Sequence, residues 1–89
     1  MRIWHLYVLE CGDGSLYCGI ALNVSKRLAE HQQGKGARYT RSRLPLRLAA
    51  SYSVGPSYGE ALKAEWAFKR LSREEKLVRI ASLGLQVPT

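Results

Sequence analysis

Ile3-Trp4-His5-Leu6-Tyr7-Val8-Leu9-Glu10-Cys11-Gly12-Asp13-Gly14-Ser15-Leu16-Tyr17-Cys18-Gly19-Ile20 is the stretch that decides the fold. Ile3 to Cys11 and Ser15 to Ile20 are rich in β-branched and aromatic residues, and Gly12-Asp13-Gly14 separates them, which reads as a β-hairpin. A three-residue loop of this kind closes well when its last residue is a glycine that takes the left-handed conformation, here Gly14. Antiparallel partners across the loop keep the same parity, so Cys11 is expected opposite Ser15, Leu9 opposite Tyr17 and Tyr7 opposite Gly19. Trp4, Leu6, Val8, Leu16, Cys18 and Ile20 then form one wholly apolar face. His5, Tyr7 and Tyr17 gather on the other, outside the expected core, and mark it as a candidate site.

Outward from the hairpin, Asn23 is a good N-cap for a helix through about Gln33, which Gly34 ends. Pro45 opens an alternating segment with Leu46, Leu48, Ala50, Tyr52 and Val54 on one side and Arg47, Ala49, Ser51 and Ser53 on the other, the pattern of a third strand. Gly55-Pro56-Ser57 breaks it, and a helix is expected from about Tyr58 or Gly59 to Leu71. Ser72-Arg73-Glu74-Glu75 matches a capping box, so a separate last helix starts there and stops near Gly84. The expected fold is α+β, a small three-stranded antiparallel sheet flanked by helices in the order β-β-α-β-α-α. Residues 1–84 read as a single domain and Leu85 to Thr89 as a C-terminal tail.

The chain has 89 residues, 46% of them hydrophobic, which suits one small core and not two. Fourteen Lys and Arg against seven Asp and Glu leave a formal charge of +7, which favours a polyanionic partner, nucleic acid first. No apolar stretch is long enough to cross a bilayer and no h-region follows Arg2, so a cytoplasmic location without membrane association is expected. Cys11 and Cys18 are too few for a secreted disulfide framework and are expected as reduced thiols. With His5 and His31 they lack the close Cys-x-x-Cys spacing of a zinc site.

Three features look chemical. Arg27 and His31 lie one turn apart on the first helix, and His31 is only ~20° from Val24 on an ideal wheel, at the edge of the buried face. On the next long helix Ala61, Leu62, Ala64, Phe68 and Leu71 define an apolar arc, and Glu65 projects about 40° from Ala61 on its core side. A carboxylate there is costly unless it meets a cation, either a structural partner such as Arg27 or a metal. Between Glu30 and Glu60 there is no acidic residue, yet Lys35, Arg38, Arg41, Arg43 and Arg47 all fall in that interval. The connection from Gly34 to Leu44, with Tyr39 inside it, suits a surface that tracks phosphates and offers one stacking aromatic.

These residues together resemble the GIY-YIG nuclease family, specifically its short stand-alone bacterial branch, related to the catalytic subunit of structure-specific endonucleases. The signature triplets fall at His5-Leu6-Tyr7 and Tyr17-Cys18-Gly19; His5 stands where the family has glycine and Cys18 where it has isoleucine, and neither position supplies the tyrosine hydroxyl. Asn23 to His31 resembles the arginine-bearing helix, Glu65 the metal-binding glutamate, and Gly34-Lys35-Gly36-Ala37-Arg38-Tyr39-Thr40 the branch's basic loop. The resemblance spans about Ile3 to Ile80. It implies a metal-dependent endonuclease that hydrolyses phosphodiester bonds in DNA, single-stranded or branched DNA among the candidates, in repair or recombination. Tyr7, Tyr17, Arg27 and His31 would be catalytic, with Tyr7 the general base and Tyr17 and His31 favouring its phenolate. Glu65 would bind Mg²⁺ or Mn²⁺, and Lys35, Arg38, Tyr39, Arg41 and Arg43 would contact nucleic acid. The alternatives are a non-catalytic nucleic-acid-binding module, and an adaptor docked on a larger protein partner through Leu77, Val78, Ile80 and Leu83, a stripe more simply read as core.

Overall fold

The computed structural model describes residues 2–83, with Leu83 described by its backbone alone. Strands β1 (Trp4–Glu10), β2 (Leu16–Ala21) and β3 (Arg47–Gly55) form an antiparallel sheet in the order β2-β1-β3. The hairpin has the expected register: Leu9 faces Tyr17, Val8 faces Cys18 and Tyr7 faces Gly19, and Cys11 N donates to Ser15 O at 2.8 Å. Gly14 takes φ 84°, the left-handed conformation the loop needs. Asp13 Oδ1 accepts from both the amide and the hydroxyl of Ser15, at 3.0 and 2.6 Å, and pins the turn.

Helices α1 (Val24–Gln32), α2 (Arg38–Arg41), α3 (Tyr58–Lys69) and α4 (Arg73–Leu83) complete the chain. The α+β class and the element order are as expected, with one addition: the short α2 lies inside the connection that reads as a loop in the sequence. Asn23 Oδ1 accepts from Lys26 N at 3.0 Å, and the capping box closes reciprocally, Ser72 N donating to Glu75 Oε1 and Glu75 N to Ser72 Oγ. The expected stop of the last helix near Gly84 and the tail Leu85 to Thr89 lie outside the described residues.

The sheet is covered on both sides, which corrects the expectation of a single core face. Leu6, Val8 and Cys18 pack with Phe68 of α3, and Leu16, Ile20 and Ile80 lean on that cluster. On the opposite side Tyr7, Leu9 and Cys11 are buried with Val24 of α1 and with Leu46, so the face carrying the tyrosines is a second core. Trp4 belongs to neither cluster; its ring packs on Tyr58, with centroids 5.0 Å apart.

β3 does not keep the uniform alternation its sequence suggests. Leu9 pairs with Leu48 but Val8 pairs with Ala50, leaving Ala49 as an extra bulged residue, and a second irregularity falls between Trp4 and His5. One extra residue exchanges the two faces. Leu46 and Leu48 therefore pack with Tyr7 and Leu9, whereas Tyr52 and Val54 pack with Leu6 and Val8. The helices depart from their wheels in a similar way. Leu62 is exposed instead of joining the arc of Ala61, Ala64 and Phe68, and Leu77 and Val78 are exposed while Ile80 turns inward.

Candidate active site

The site is assembled on the second core. Val24 and His31 are the residues of α1 that are fully buried, as the wheel indicates, and Arg27 lies between them at the border of that face. The Tyr7 hydroxyl is 2.9 Å from His31 Nε2, and His31 Nδ1 is 2.8 Å from Thr40 Oγ1. The Tyr17 ring meets His31 edge-on at 5.3 Å and lies 6.5 Å from the Tyr7 ring. Tyr7, Tyr17, Arg27 and His31 are thus brought together from β1, β2 and α1.

Two glycines permit this approach. A Cβ on Gly19 would fall 2.5 Å from Tyr7 Oη, and one on Gly36 would fall 2.1 Å from His31 Nδ1. Gly19 lies opposite Tyr7 in the register, so only a hydrogen there leaves room for the phenol. Thr40 and Gly36 were not identified as site residues from sequence; the only available signal was a glycine and a hydroxyl set among basic residues.

Burial sets the protonation states. It pushes the Tyr7 hydroxyl up to about 12, against the pull of the Arg27 guanidinium beside it. The expectation that its neighbours favour a phenolate is therefore corrected: desolvation dominates, and Tyr7 is neutral at physiological pH. Burial, assisted by Arg27, also lowers the pKa of His31, so the imidazole is neutral too. Arg27 remains charged, because Glu30 at 3.2 Å and the Tyr7 hydroxyl outweigh its own partial burial.

Glu65 sits in the other layer, on α3. Its side chain is only 20% exposed, and Lys69 Nζ lies 3.3 Å from its Oε2, so the structural cation beside it is Lys69 and not Arg27. Burial and the Glu65 charge together push the Cys18 thiol up to about 12, which locates the carboxylate close to the edge strand β2. A groove of about 270 Å³ runs over that edge between Tyr17, Tyr39, Cys18, Phe68 and Lys69. A second, of about 500 Å³, contains Glu65, Leu62, Trp66 and Lys69. The two share Lys69, so the tyrosine cluster and the carboxylate lie on either side of one rim and not in one enclosed pocket.

Among the described residues no three His, Cys, Asp or Glu side chains converge as a metal cage. Glu65 offers a single carboxylate. That donor suits a hard cation such as Mg²⁺ or Mn²⁺ that keeps most of its ligands as water or phosphate oxygen.

Of the basic segment, Lys35, Arg38 and Arg41 are exposed and form no ion pair among the described residues. Arg43 is different: Nε donates to Asp13 Oδ2 at 3.1 Å, NH1 donates to Tyr39 O, and the guanidinium lies 3.8 Å over the Tyr39 ring. Tyr39 also stacks on Tyr17 at 5.9 Å. These two residues are therefore engaged within the protein, and Tyr39 is not the free stacking platform its sequence context suggests. Neutralising Lys35, Arg38 and Arg41 together is expected to weaken nucleic-acid binding for all sequences and to reduce the slope of log affinity against log salt by roughly 2 to 3. An unchanged slope in a binding titration would identify them as a solvated face.

The GIY-YIG catalytic domain profile matches residues 3–78. A UPF0213 protein of Cupriavidus pinatubonensis is 54% identical over 82 residues, covering 92% of this chain and 90% of the relative. A UPF0213 protein of Streptococcus sanguinis is 51% identical over 76 residues, covering 85% and 86%. The solution NMR structure of a UPF0213 protein from Bacillus halodurans superposes with a TM-score of 0.60 at 42% identity, covering 97% of this chain and 89% of that one. That of a protein from E. faecalis gives 0.64 at 35% identity, covering 100% and 94%. Among the described residues no helix is long and apolar enough to cross a membrane.

Proposed function

This chain belongs to the GIY-YIG catalytic-domain family, and from that premise we propose that it is a metal-dependent endonuclease hydrolysing phosphodiester bonds in DNA. The observation that carries the reading is the convergence of Tyr7, Tyr17 and His31 beside Arg27 within the matched domain.

Phosphodiester hydrolysis needs a proton taken from water, charge stabilised at phosphorus and charge relieved on the leaving oxygen. Tyr7 Oη is the acceptor for the water proton. Since Tyr7 is neutral, its own proton must leave as the new one arrives, and His31 Nε2 at 2.9 Å is the group that can take it. Arg27 binds the non-bridging oxygens of the scissile phosphate through its fork of donors, exchanging Glu30 for the stronger anion. Glu65 would hold Mg²⁺ or Mn²⁺, which when bound supplies charge neutralisation at the phosphate. The exposed Lys35, Arg38 and Arg41 draw the backbone toward this rim. A binding module without chemistry accounts for the charge but leaves the buried Tyr7–His31 pair and the half-sequestered Glu65 without a task.

The test is a panel of labelled single strands, duplexes, flaps, junctions and RNA, incubated with Mg²⁺, with Mn²⁺ or with chelator. Cleavage that disappears with chelator is expected; binding without cleavage under every condition would reduce the protein to a binding module. Arg27→Ala is expected to lower turnover far more than affinity, because the contact strengthens as charge builds on the phosphate. If Arg27 only covers the core with its aliphatic stem, the same change would instead lower thermal stability and leave the rate per folded molecule intact.

A further inference from the structure

Thr40 has no place in the chemistry described above, yet it is fully buried at the end of a chain of short contacts. Its Oγ1 lies 2.9 Å from Ala37 O and 2.8 Å from His31 Nδ1. A carbonyl oxygen only accepts, so the single hydroxyl proton of Thr40 is directed to Ala37 O, and what it turns toward His31 is a lone pair. His31 Nδ1 must then bring the proton of that contact. A neutral imidazole carries one N–H, so Nε2 is left bare, and the 2.9 Å contact with Tyr7 runs from the phenol to the ring. The opposing arrangement would have Nδ1 accept from both the Thr40 hydroxyl and Ala37 N, which leaves the 2.9 Å contact between Thr40 Oγ1 and Ala37 O without a proton and relies on an amide at 3.4 Å, the weakest contact of the set.

We propose that Thr40 is a positioning residue: with Ala37 O behind it, it holds His31 as the Nδ1–H tautomer, so that Tyr7 donates its proton to His31 Nε2. This rests on the nuclease reading for its consequence but not for its geometry. In the hydrolytic step a water O–H bond breaks and its proton joins Tyr7 Oη, the Tyr7 proton joins His31 Nε2, the water oxygen bonds to phosphorus, and the leaving oxygen departs with its electron pair to be protonated by solvent. His31 becomes an imidazolium whose Nδ1–H still points at Thr40. In the other tautomer Nε2 already bears a proton and cannot receive one. The close approach of Gly36 to the ring holds its orientation, so what Thr40 decides is where the proton sits.

The chain contains two histidines, which makes the ring nitrogens readable by ¹⁵N NMR, with a His5→Gln variant separating the two sets of signals. The wild-type His31 is expected to show a protonated Nδ1 and an unprotonated Nε2. Thr40→Val, close in shape, is expected to shift His31 toward Nε2–H and to lower single-turnover cleavage roughly 10²-fold while substrate affinity holds, as partial loss of general-base help would. Thr40→Ser restores the hydroxyl and is expected to return both the tautomer and most of the rate. An Nε2–H tautomer in the wild type, or an unchanged tautomer in folded Thr40→Val, overturns the proposal. Because the wild-type spectrum needs no variant, a poorly folding Thr40→Val does not rescue it. A wild-type protein that shows Nδ1–H and cleaves no substrate would sustain the tautomer assignment and sink the nuclease reading instead.

Discussion

Glu65→Gln is expected to abolish detectable cleavage while leaving the fold and most nucleic-acid affinity in place. The amide keeps the size of the side chain but removes the charge, and among the described residues no cluster of three or more His, Cys, Asp or Glu side chains stands ready to hold a cation in its place. The structural cost is small, because the pair it breaks is with Lys69, half-exposed on the next turn of α3, and such i,i+4 pairs contribute little. The expected result is therefore an unchanged melting curve beside lost Mg²⁺-dependent turnover, and a titration of Mn²⁺ followed by its paramagnetic effect on the protein should lose saturable binding. A fully active Glu65→Gln protein would remove Glu65 from the metal site. Retained metal binding with no activity would instead leave the carboxylate as a partner of the substrate.

Tyr7→Phe carries the second large effect, and here the structure alters what its sequence context suggests. The hydroxyl is not on an open face: Tyr7 is 1% exposed and bonded to a buried imidazole. Its removal leaves His31 Nε2 without a partner, which costs about 1–3 kcal/mol of stability. Turnover should fall 10²- to 10⁴-fold, roughly 3 to 5 kcal/mol at the transition state, because the proposed acceptor of the water proton is gone. The two effects separate when single-turnover cleavage is measured well below the melting temperature. Tyr17→Phe is expected to lose less of both. Its ring contacts to Tyr39 and His31 survive the change, and the hydroxyl makes no hydrogen bond within the described structure. A pH series on both variants decides the assignment: a larger loss for Tyr17→Phe transfers the base role to Tyr17, and two negligible losses remove both tyrosines from the chemistry.

The sheet geometry explains why the two tyrosines differ although they share a face. Tyr7 is on the central strand β1, where α1 and the connection after it close over the ring; Tyr17 is on the edge strand β2, beside the groove that leads to Lys69 and Glu65. Tyr17 lines that groove, whereas Tyr7 is 1% exposed.

Turns and helix caps were legible in the sequence because their partners lie within a few residues of one another. The Gly12-Asp13-Gly14 turn sets the parity of the hairpin and with it the faces of Tyr7, Tyr17 and Gly19; Asn23, Gly34 and the Ser72–Glu75 box mark helix ends because each satisfies orphan backbone groups within a few residues. The 3.6-residue period put Val24 and His31 on one buried stripe for the same reason. Long-range packing set the remainder. The bulge at Ala49 exchanges the faces of β3, and no local propensity announces one extra residue between strands far apart in sequence. The second core over Tyr7 exists because α1 and the segment through Thr40 fold onto it, and that desolvation raises the phenol where charge counting alone favours its ionisation. Arg43 and Tyr39 are engaged at the surface because Asp13 and Tyr17, distant along the chain, meet them. Thr40 acquires its position through two contacts that depend on where a carbonyl and an imidazole lie in space, which is information that spacing does not carry.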